Sequence, residues 1–161
     1  MADNQQPQFA LQRIYLKDAS FEAPNTPNAF TKAWKPEIQL DLNSSARKLD
    51  EQHYEVSVKV TITAKNEEET AFLVEIVQCG LFAMVNIPEN QLQPMLGAMC
   101  PNILFPYLRE TVDSFVTKGG FPALMLAPIN FDALYQQRVQ QAQQQAEAAA
   151  EPAADNAETT H

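Results

Sequence analysis

The residues of this chain that carry nucleophilic, metal-ligating or proton-transferring groups are few and poorly spaced for catalysis. Cys79, Cys100, His53 and His161 are all of its cysteines and histidines, and their separations match no metal-ligand pattern. His53 sits between Gln52 and Tyr54, and His161 is the last residue, so each reads as a lone surface histidine. Glu67, Glu68 and Glu69 form an acidic run whose place in a short turn suits a solvated hairpin tip. Neither a G-x-S-x-G elbow nor a phosphate-binding glycine loop occurs, and Gly119-Gly120 suits the end of a helix. No nucleophile, base and oxyanion donors can be assembled into one constellation, so no enzymatic activity, cofactor or metal is expected. The remaining chemistry is that of surfaces.

One such surface follows from strand parity. In Phe72–Gln78 one face carries Phe72, Val74, Ile76 and Gln78, and the other carries Leu73, Glu75 and Val77. Asp18, Ser20 and Glu22 likewise share a parity near the end of an earlier strand. If helices cover only one face of the sheet, these residues make an exposed acidic patch around Leu73 and Glu75. Taken alone, that patch reads as solubilising charge before it reads as a binding site.

Charge excludes other surfaces. With 20 acidic and 11 basic residues the net charge is −9, and no basic stripe is available to neutralise phosphates, so nucleic acid is not an expected partner. The opening MADNQQPQF has neither a basic segment nor an apolar core and does not read as a signal peptide. Asn90–Leu108 is uncharged, but Pro94, Pro101, Pro106 and several amides argue against a membrane span. The two cysteines therefore read as reduced, buried thiols of a cytoplasmic protein.

The elements that position these residues are strands first, helices second. Phe9–Lys17 reads as a first strand that continues irregularly through Phe21. Residues 23–36 hold Pro24, Pro27 and Pro36 and form a long connection carrying Phe30 and Trp34, which either cap the core or line a binding surface. Ile38, Leu40 and Leu42 alternate with polar residues, as do Tyr54, Val56, Val58, Val60 and Ile62; Phe72–Gln78 returns as a hairpin partner. Further on, Leu104, Leu108, Val112, Phe115 and Val116 recur at helical spacing, with Asn102 as the expected N-cap. A last helix starts near Asn130 and presents Phe131, Leu134, Tyr135, Val139 and Ala142. The expected fold is α+β: a four-stranded antiparallel sheet with two main C-terminal helices packed on one face. Residues 1–8 read as a flexible N-terminus, and the Gln/Ala-rich acidic tail 143–161 as largely disordered, although its composition also favours helix to about Ala150.

Only five of the 31 charged residues fall between Ile76 and Phe131. Within that run Ile103, Leu104, Phe105, Tyr107 and Leu108 make a helix apolar on more than one side, which needs a second partner such as another subunit.

The segments RIYLKDASFEAPN (Arg13–Asn25), EETAFLVEI (Glu68–Ile76), CPNILFPYLRE (Cys100–Glu110) and GFPALMLAPINFDALY (Gly120–Tyr135) strongly resemble the SecB family of protein-export chaperones, in order and in spacing. The likeness runs from about Phe9 to Val139, and the domain it implies is placed at 9–142. It implies an ATP-independent holdase that binds unfolded precursor proteins and delivers them to the translocation motor SecA. It implies a homotetramer, a dimer of dimers, with helices sandwiched between sheets. The residues matching the family's docking face for the zinc-binding C-terminal segment of SecA are Asp18, Ser20, Glu22, Leu73 and Glu75. Those matching its client groove are Phe21, Phe30, Trp34, Ile38, Leu40, Leu42, Phe105 and Tyr107. An oligomer interface is expected over Val74, Ile76, Gln78, Leu104 and Leu108. A SecB-like chaperone dedicated to a toxin–antitoxin pair is the alternative, and retention of the acidic set argues against it.

Overall fold

The computed structural model describes residues 5–150. Four strands, β1 (Gln8–Glu22), β2 (Pro36–Lys48), β3 (His53–Asn66) and β4 (Glu69–Val85), form one antiparallel sheet in the order β1-β4-β3-β2. Three helices follow: α1 (Glu89–Pro94), α2 (Cys100–Lys118) and α3 (Phe131–Ala150). The α+β class and the four antiparallel strands agree with the alternation in the sequence. Each strand is longer than its clearest alternating stretch. β4 runs on through Cys79–Val85, and β2 through the polar stretch Asn43–Lys48, because both find ladder partners along β3.

Alternation builds the core. Val56, Val58, Val60, Ile62 and Ala64 of β3 and Phe72, Val74, Ile76 and Phe82 of β4 point to one face and are buried. α2 lies on that face, mainly along β4 and β3, and buries Leu104, Leu108, Val112 and Val116 at four-residue intervals. The approach is close at Gly80, where an added Cβ would stand 2.6 Å from the Phe82 ring and 2.9 Å from a Leu104 methyl. Ser57, Lys59 and Thr61 alternate to the other face, which no helix among the described residues covers.

The helices depart from the sequence reading in three ways. The helical path starts at Glu89, not at Asn102, which is an exposed mid-helix residue making no cap. Pro101 has no N–H to donate, and a π-helical turn over Met95–Met99 absorbs that loss between α1 and α2. Second, of the three α-helices among the described residues only α2 packs on the sheet, while the π-helical turn Met95–Met99 meets β2. α3 buries Phe131 alone, crosses the Met95–Met99 turn with Tyr135 against Gly97, and reaches the sheet through Arg138, whose Nη2 donates to Ser44 Oγ (3.2 Å). Its Gln/Ala composition supplies no apolar stripe wide enough to hold it flat on the core. Third, helix continues through 143–150, within the stretch assigned to the disordered tail; the rest of that tail, 151–161, and residues 1–4 of the N-terminal segment lie outside the described residues. Gln8, placed in the flexible terminus, is the first residue of β1.

The β1–β2 connection must carry the chain from one sheet edge to the other. Two asparagines anchor it: Asn25 Nδ2 donates to the Thr70 carbonyl (2.9 Å), and buried Asn66 donates to Ala33 O and accepts from the Lys35 N–H, both at 3.0 Å. After α2, the apolar segment Phe121–Ile129 returns toward the helix, where Asp113 Oδ1 accepts from the N–H groups of Leu124 (3.1 Å) and Met125 (3.2 Å). That pair of bonds holds Met125 in the left-handed region, at φ +52°.

The close approach at Gly80 makes a direct prediction. Gly80→Ala should force the Phe82 ring or Leu104 out of place and destabilise the chain by about 1–3 kcal/mol, read as a lower denaturant midpoint with unchanged slope. An unchanged midpoint would show that the helix–sheet contact has slack there.

Candidate binding surfaces

The uncovered face of the sheet gathers the predicted acidic set. Register places Glu22 opposite Leu73, Ser20 opposite Glu75 and Asp18 opposite Val77. The rows continue across β3 and β2 as Thr63 and Gln39, Thr61 and Asp41, and Lys59 and Asn43. All five predicted residues thus lie on one face, with Asp18, Ser20 and Glu22 exposed and Leu73 and Glu75 half-buried. A bulge between Leu16 and Asp18 decides this. Tyr15 faces Cys79 on the open side, and the extra residue Lys17 shifts the pleat so that 18, 20 and 22 follow it there. Phe21 and Ala19 are turned to the helix side by the same step.

Sequence reasoning missed the partners of this patch. Lys59 Nζ lies 2.8 Å from Glu75 Oε1, and the hydrogen bond to Glu75 raises the lysine's pKa, with further help from Asp18. Asp41 joins the same rows from β2. Farther along the face, buried Glu55 of β3 accepts from the Tyr15 hydroxyl, from Lys17 Nζ (2.9 Å) and from Arg47 Nη2 (3.3 Å). One carboxylate thereby joins β1, β3 and β2. The hydrogen bond from Tyr15, then that from Lys17, holds the Glu55 carboxyl below the usual range; burial, then Glu55, pushes the Tyr15 hydroxyl well above its own. Only i, i+2 pairing was visible in sequence, and these contacts join different strands, from Arg47–Glu55 within one hairpin to Tyr15–Glu55, 40 residues apart.

The second surface lies on the helix side, at the same end of the sheet as the acidic rows and away from the Glu55 hub. Phe21, Phe30 and Trp34 meet Phe72 and Phe121 in a five-ring cluster: Phe21–Phe72 at 5.9 Å, Trp34–Phe72 at 6.3 Å, Trp34–Phe121 at 5.4 Å and Phe30–Phe121 at 5.1 Å. Phe30 is 52% exposed, and Trp34 is half-buried. The turn after α2 closes against the cluster, since a Cβ on Gly119 would stand 2.3 Å from the Phe21 ring. Ile38, Leu40 and Leu42 also point to the helix side, opposite Ala64, Ile62 and Val60. α2 does not extend over β2, so Ile38 and Leu40 stay exposed and Leu42 half-buried. Tyr107 stands exposed on α2, outside the ring cluster. Phe72 was named only for its parity on the strand and Phe121 not at all, although each sits within a segment that carries the family likeness.

Six assignments need correction. Phe105 is buried and meets Phe131 edge-on at 5.8 Å, so it seats the first turn of α3 rather than lining a groove. Val74, Ile76, Gln78, Leu104 and Leu108 are buried within the single chain, as the contact between α2 and the sheet, and present no surface to another subunit. The parity that marked them as a face was right; the covering partner is the chain's own helix. The outer side of α2 and of the π turn before it instead shows Met99, Ile103 and Tyr107 at four-residue spacing, with Met99 and Tyr107 exposed and Ile103 half-buried.

The thiols and His53 take structural parts. Cys79 and Cys100 are free and buried, and burial pushes the Cys100 thiol up to about 12. His53 Nδ1 lies 2.8 Å from the Asp50 carboxylate in the β2–β3 turn. No helix among the described residues is long and apolar enough to cross a membrane.

A sheet with one face left open, and a cluster of aromatic rings at the rim of its other face, defines a protein organised around binding surfaces. The chain belongs to the SecB family: the family model described as preprotein translocase subunit SecB matches residues 2–142. Curated relatives named protein-export protein SecB come from Methylococcus capsulatus, 57% identical over 140 residues (86% of this chain, 90% of that one), and Marinobacter nauticus, 54% identical over 149 residues (87% and 90%). A SecB-like chaperone of Mycobacterium tuberculosis, solved with a peptide from an antitoxin, shares the fold with a TM-score of 0.61 at 16% identity, over 75% of this chain and 87% of that one.

The Glu55 hub predicts a pH dependence. Its folded pKa is depressed, so its stabilising contribution is present above the ordinary carboxylate value of about 4.3 and is lost as pH falls through the lower folded value. Glu55→Gln should reduce stability at neutral pH by about 1–3 kcal/mol and flatten the acid limb of the stability profile. Parallel acid limbs in both proteins would assign the effect elsewhere.

Proposed function

We propose that the chain is an ATP-independent holdase of protein export, which binds unfolded precursor proteins, keeps them competent for translocation and hands them to SecA. The observation that carries this reading is the coexistence on one small domain of two separate surfaces, an acidic open sheet face and an aromatic rim. An unfolded client offers aliphatic and aromatic side chains without a fixed shape. Exposed rings and the Ile38–Leu40 strip accept such side chains with little demand on sequence, each buried side chain contributing about 1.5–3 kcal/mol. While held, those side chains are withheld from collapse.

In this reading the acidic rows, with Asp18, Ser20, Glu22, Leu73 and Glu75, receive the basic, zinc-binding C-terminal segment of SecA. Charge complementarity there accelerates encounter and excludes wrong partners more than it adds affinity. The working form is a cytoplasmic homotetramer, a dimer of dimers. The outer stripe Met99, Ile103 and Tyr107, running from the π turn onto α2, supports the assembly, since an exposed apolar stripe of that kind calls for a second chain. The protein acts by binding alone, with no catalysis and no cofactor. A partnership with a toxin–antitoxin pair is the second reading, suggested by the peptide bound to the mycobacterial chaperone. The close identity to export relatives and the gathered acidic set favour export.

Two measurements test this. Asp18→Lys with Glu75→Lys should weaken binding of the SecA C-terminal peptide at least about tenfold while a refolding assay shows client holding unchanged; equal loss of both activities would sink the division into two surfaces. Trp34 is the sole tryptophan, so saturating an unfolded precursor onto the protein should shift its emission to the blue as the half-buried indole loses water. Unaltered emission at saturation would place the clients elsewhere.

A further inference from the structure

The acidic face contains its own cation. Of the three rows Glu22–Leu73–Thr63–Gln39, Ser20–Glu75–Thr61–Asp41 and Asp18–Val77–Lys59–Asn43, four residues are acidic and Lys59 is the only base. Lys59 stands diagonal to Glu75 across the β3–β4 pair and in the same row as Asp18. Its ammonium sits 2.8 Å from Glu75 Oε1, in the geometry an incoming lysine would adopt. The neighbouring base on this face, Lys17, is already engaged with Glu55 at 2.9 Å. Lys59 and Asp18 both border a depression of 320 Å³ that reaches toward Ser57 and Val77, so a group entering beside Asp18 passes the lysine.

We propose that Lys59 is a built-in competitor on this face: its ammonium occupies the position at Glu75 that a basic group of the docking partner must take, and so limits the affinity and salt dependence of docking. This rests on the reading of the acidic rows as the SecA docking face. The physical cause is simple. Asp18, Glu22 and Glu75 on the adjacent strands β1 and β4 repel one another, with Asp41 two strands away in the Glu75 row, and an internal ammonium relieves that repulsion when the face is empty. The same ammonium must be displaced, or tolerated as a like charge, when a basic segment docks. The lysine is half-exposed and its ion pair is solvated, so displacement costs little, and docking stays reversible and sensitive to salt. A chaperone that delivers its cargo and leaves gains from such a contact.

The test uses the full chain and the zinc-loaded C-terminal peptide of SecA as probe, titrated at about 50 mM and about 500 mM salt, between which screening changes several-fold. Lys59→Gln should bind the peptide about three- to tenfold more tightly at low salt, with the gain falling below about twofold at high salt. Lys59→Arg keeps the charge and should bind like the parent chain. Client holding in the refolding assay should be the same in all three. If Asp18→Asn and Glu75→Gln weaken binding but Lys59→Gln leaves it unchanged or weaker, docking stands and the competitor role is overturned. If neither acidic substitution weakens binding, the docking face itself is wrong, and the competitor role falls with it. Thermal melts of each variant verify that the sheet is intact.

Discussion

The contact on which the rest depends is the seating of α2 on the two central strands. Gly80 permits it, because any side chain there would stand where the Phe82 ring and Leu104 now meet. One helix is about 10 Å wide, and a four-stranded sheet is wider, with strands roughly 4.8 Å apart. A single helix can therefore dry β3 and β4 but not β2. The exposed Ile38 and Leu40 follow from that mismatch of widths. Among the described residues no helix lies on the opposite face, whose rows mix acidic and hydroxyl side chains with Leu73 and Val77.

The open face is then an electrostatic problem solved locally. Three of its acidic residues, Asp18, Glu22 and Glu75, lie on the neighbouring strands β1 and β4, close enough to repel, and Lys59 is set between them and Asp41 of β2. At the other end of the same face the charge balance reverses: one buried carboxylate, Glu55, gathers Lys17, Arg47 and the Tyr15 hydroxyl. Hub and patch share the strand β1, and the bulge at Lys17 separates them. The side chain of the extra residue serves the hub, and its backbone turns the following residues toward the patch. A local irregularity in one strand thus links the stability of the face to its composition.

Particular residues show how far sequence could reach. Tyr54 to Ile62 alternates without a fault, and β3 lies there with its even positions buried. Cys79–Val85 does not alternate in polarity, and only its ladder with β1 and β3 identifies it as strand. In sequence Pro94 and Pro101 argue only against a membrane span, yet both lie in the helical path, and a π turn carries the helix past Pro101. The interface assigned to Val74, Ile76, Gln78, Leu104 and Leu108 failed because residues buried by a chain's own helix and residues buried by another chain carry the same apolar signature. Asp113 gave no signal at all. Its task, accepting two N–H groups from a segment more than ten residues away, depends on how that segment folds back.

By itself the sequence determined which residues share a face. That information is local: side chains alternate every two residues in a strand and return every 3.6 in a helix, whatever the remainder of the chain does. It was enough to group Asp18, Ser20 and Glu22, to group Leu73 with Glu75, and to align Leu104, Leu108, Val112 and Val116. Which face the helix covers, and whether the two acidic groups fall on the same side, was decided only in the tertiary structure. Register between β1 and β4 and the bulge beside Lys17 are set by hydrogen bonds across some sixty residues of chain. Moving that bulge by one position would change which residues follow Tyr15 onto the open face without altering a letter of the sequence.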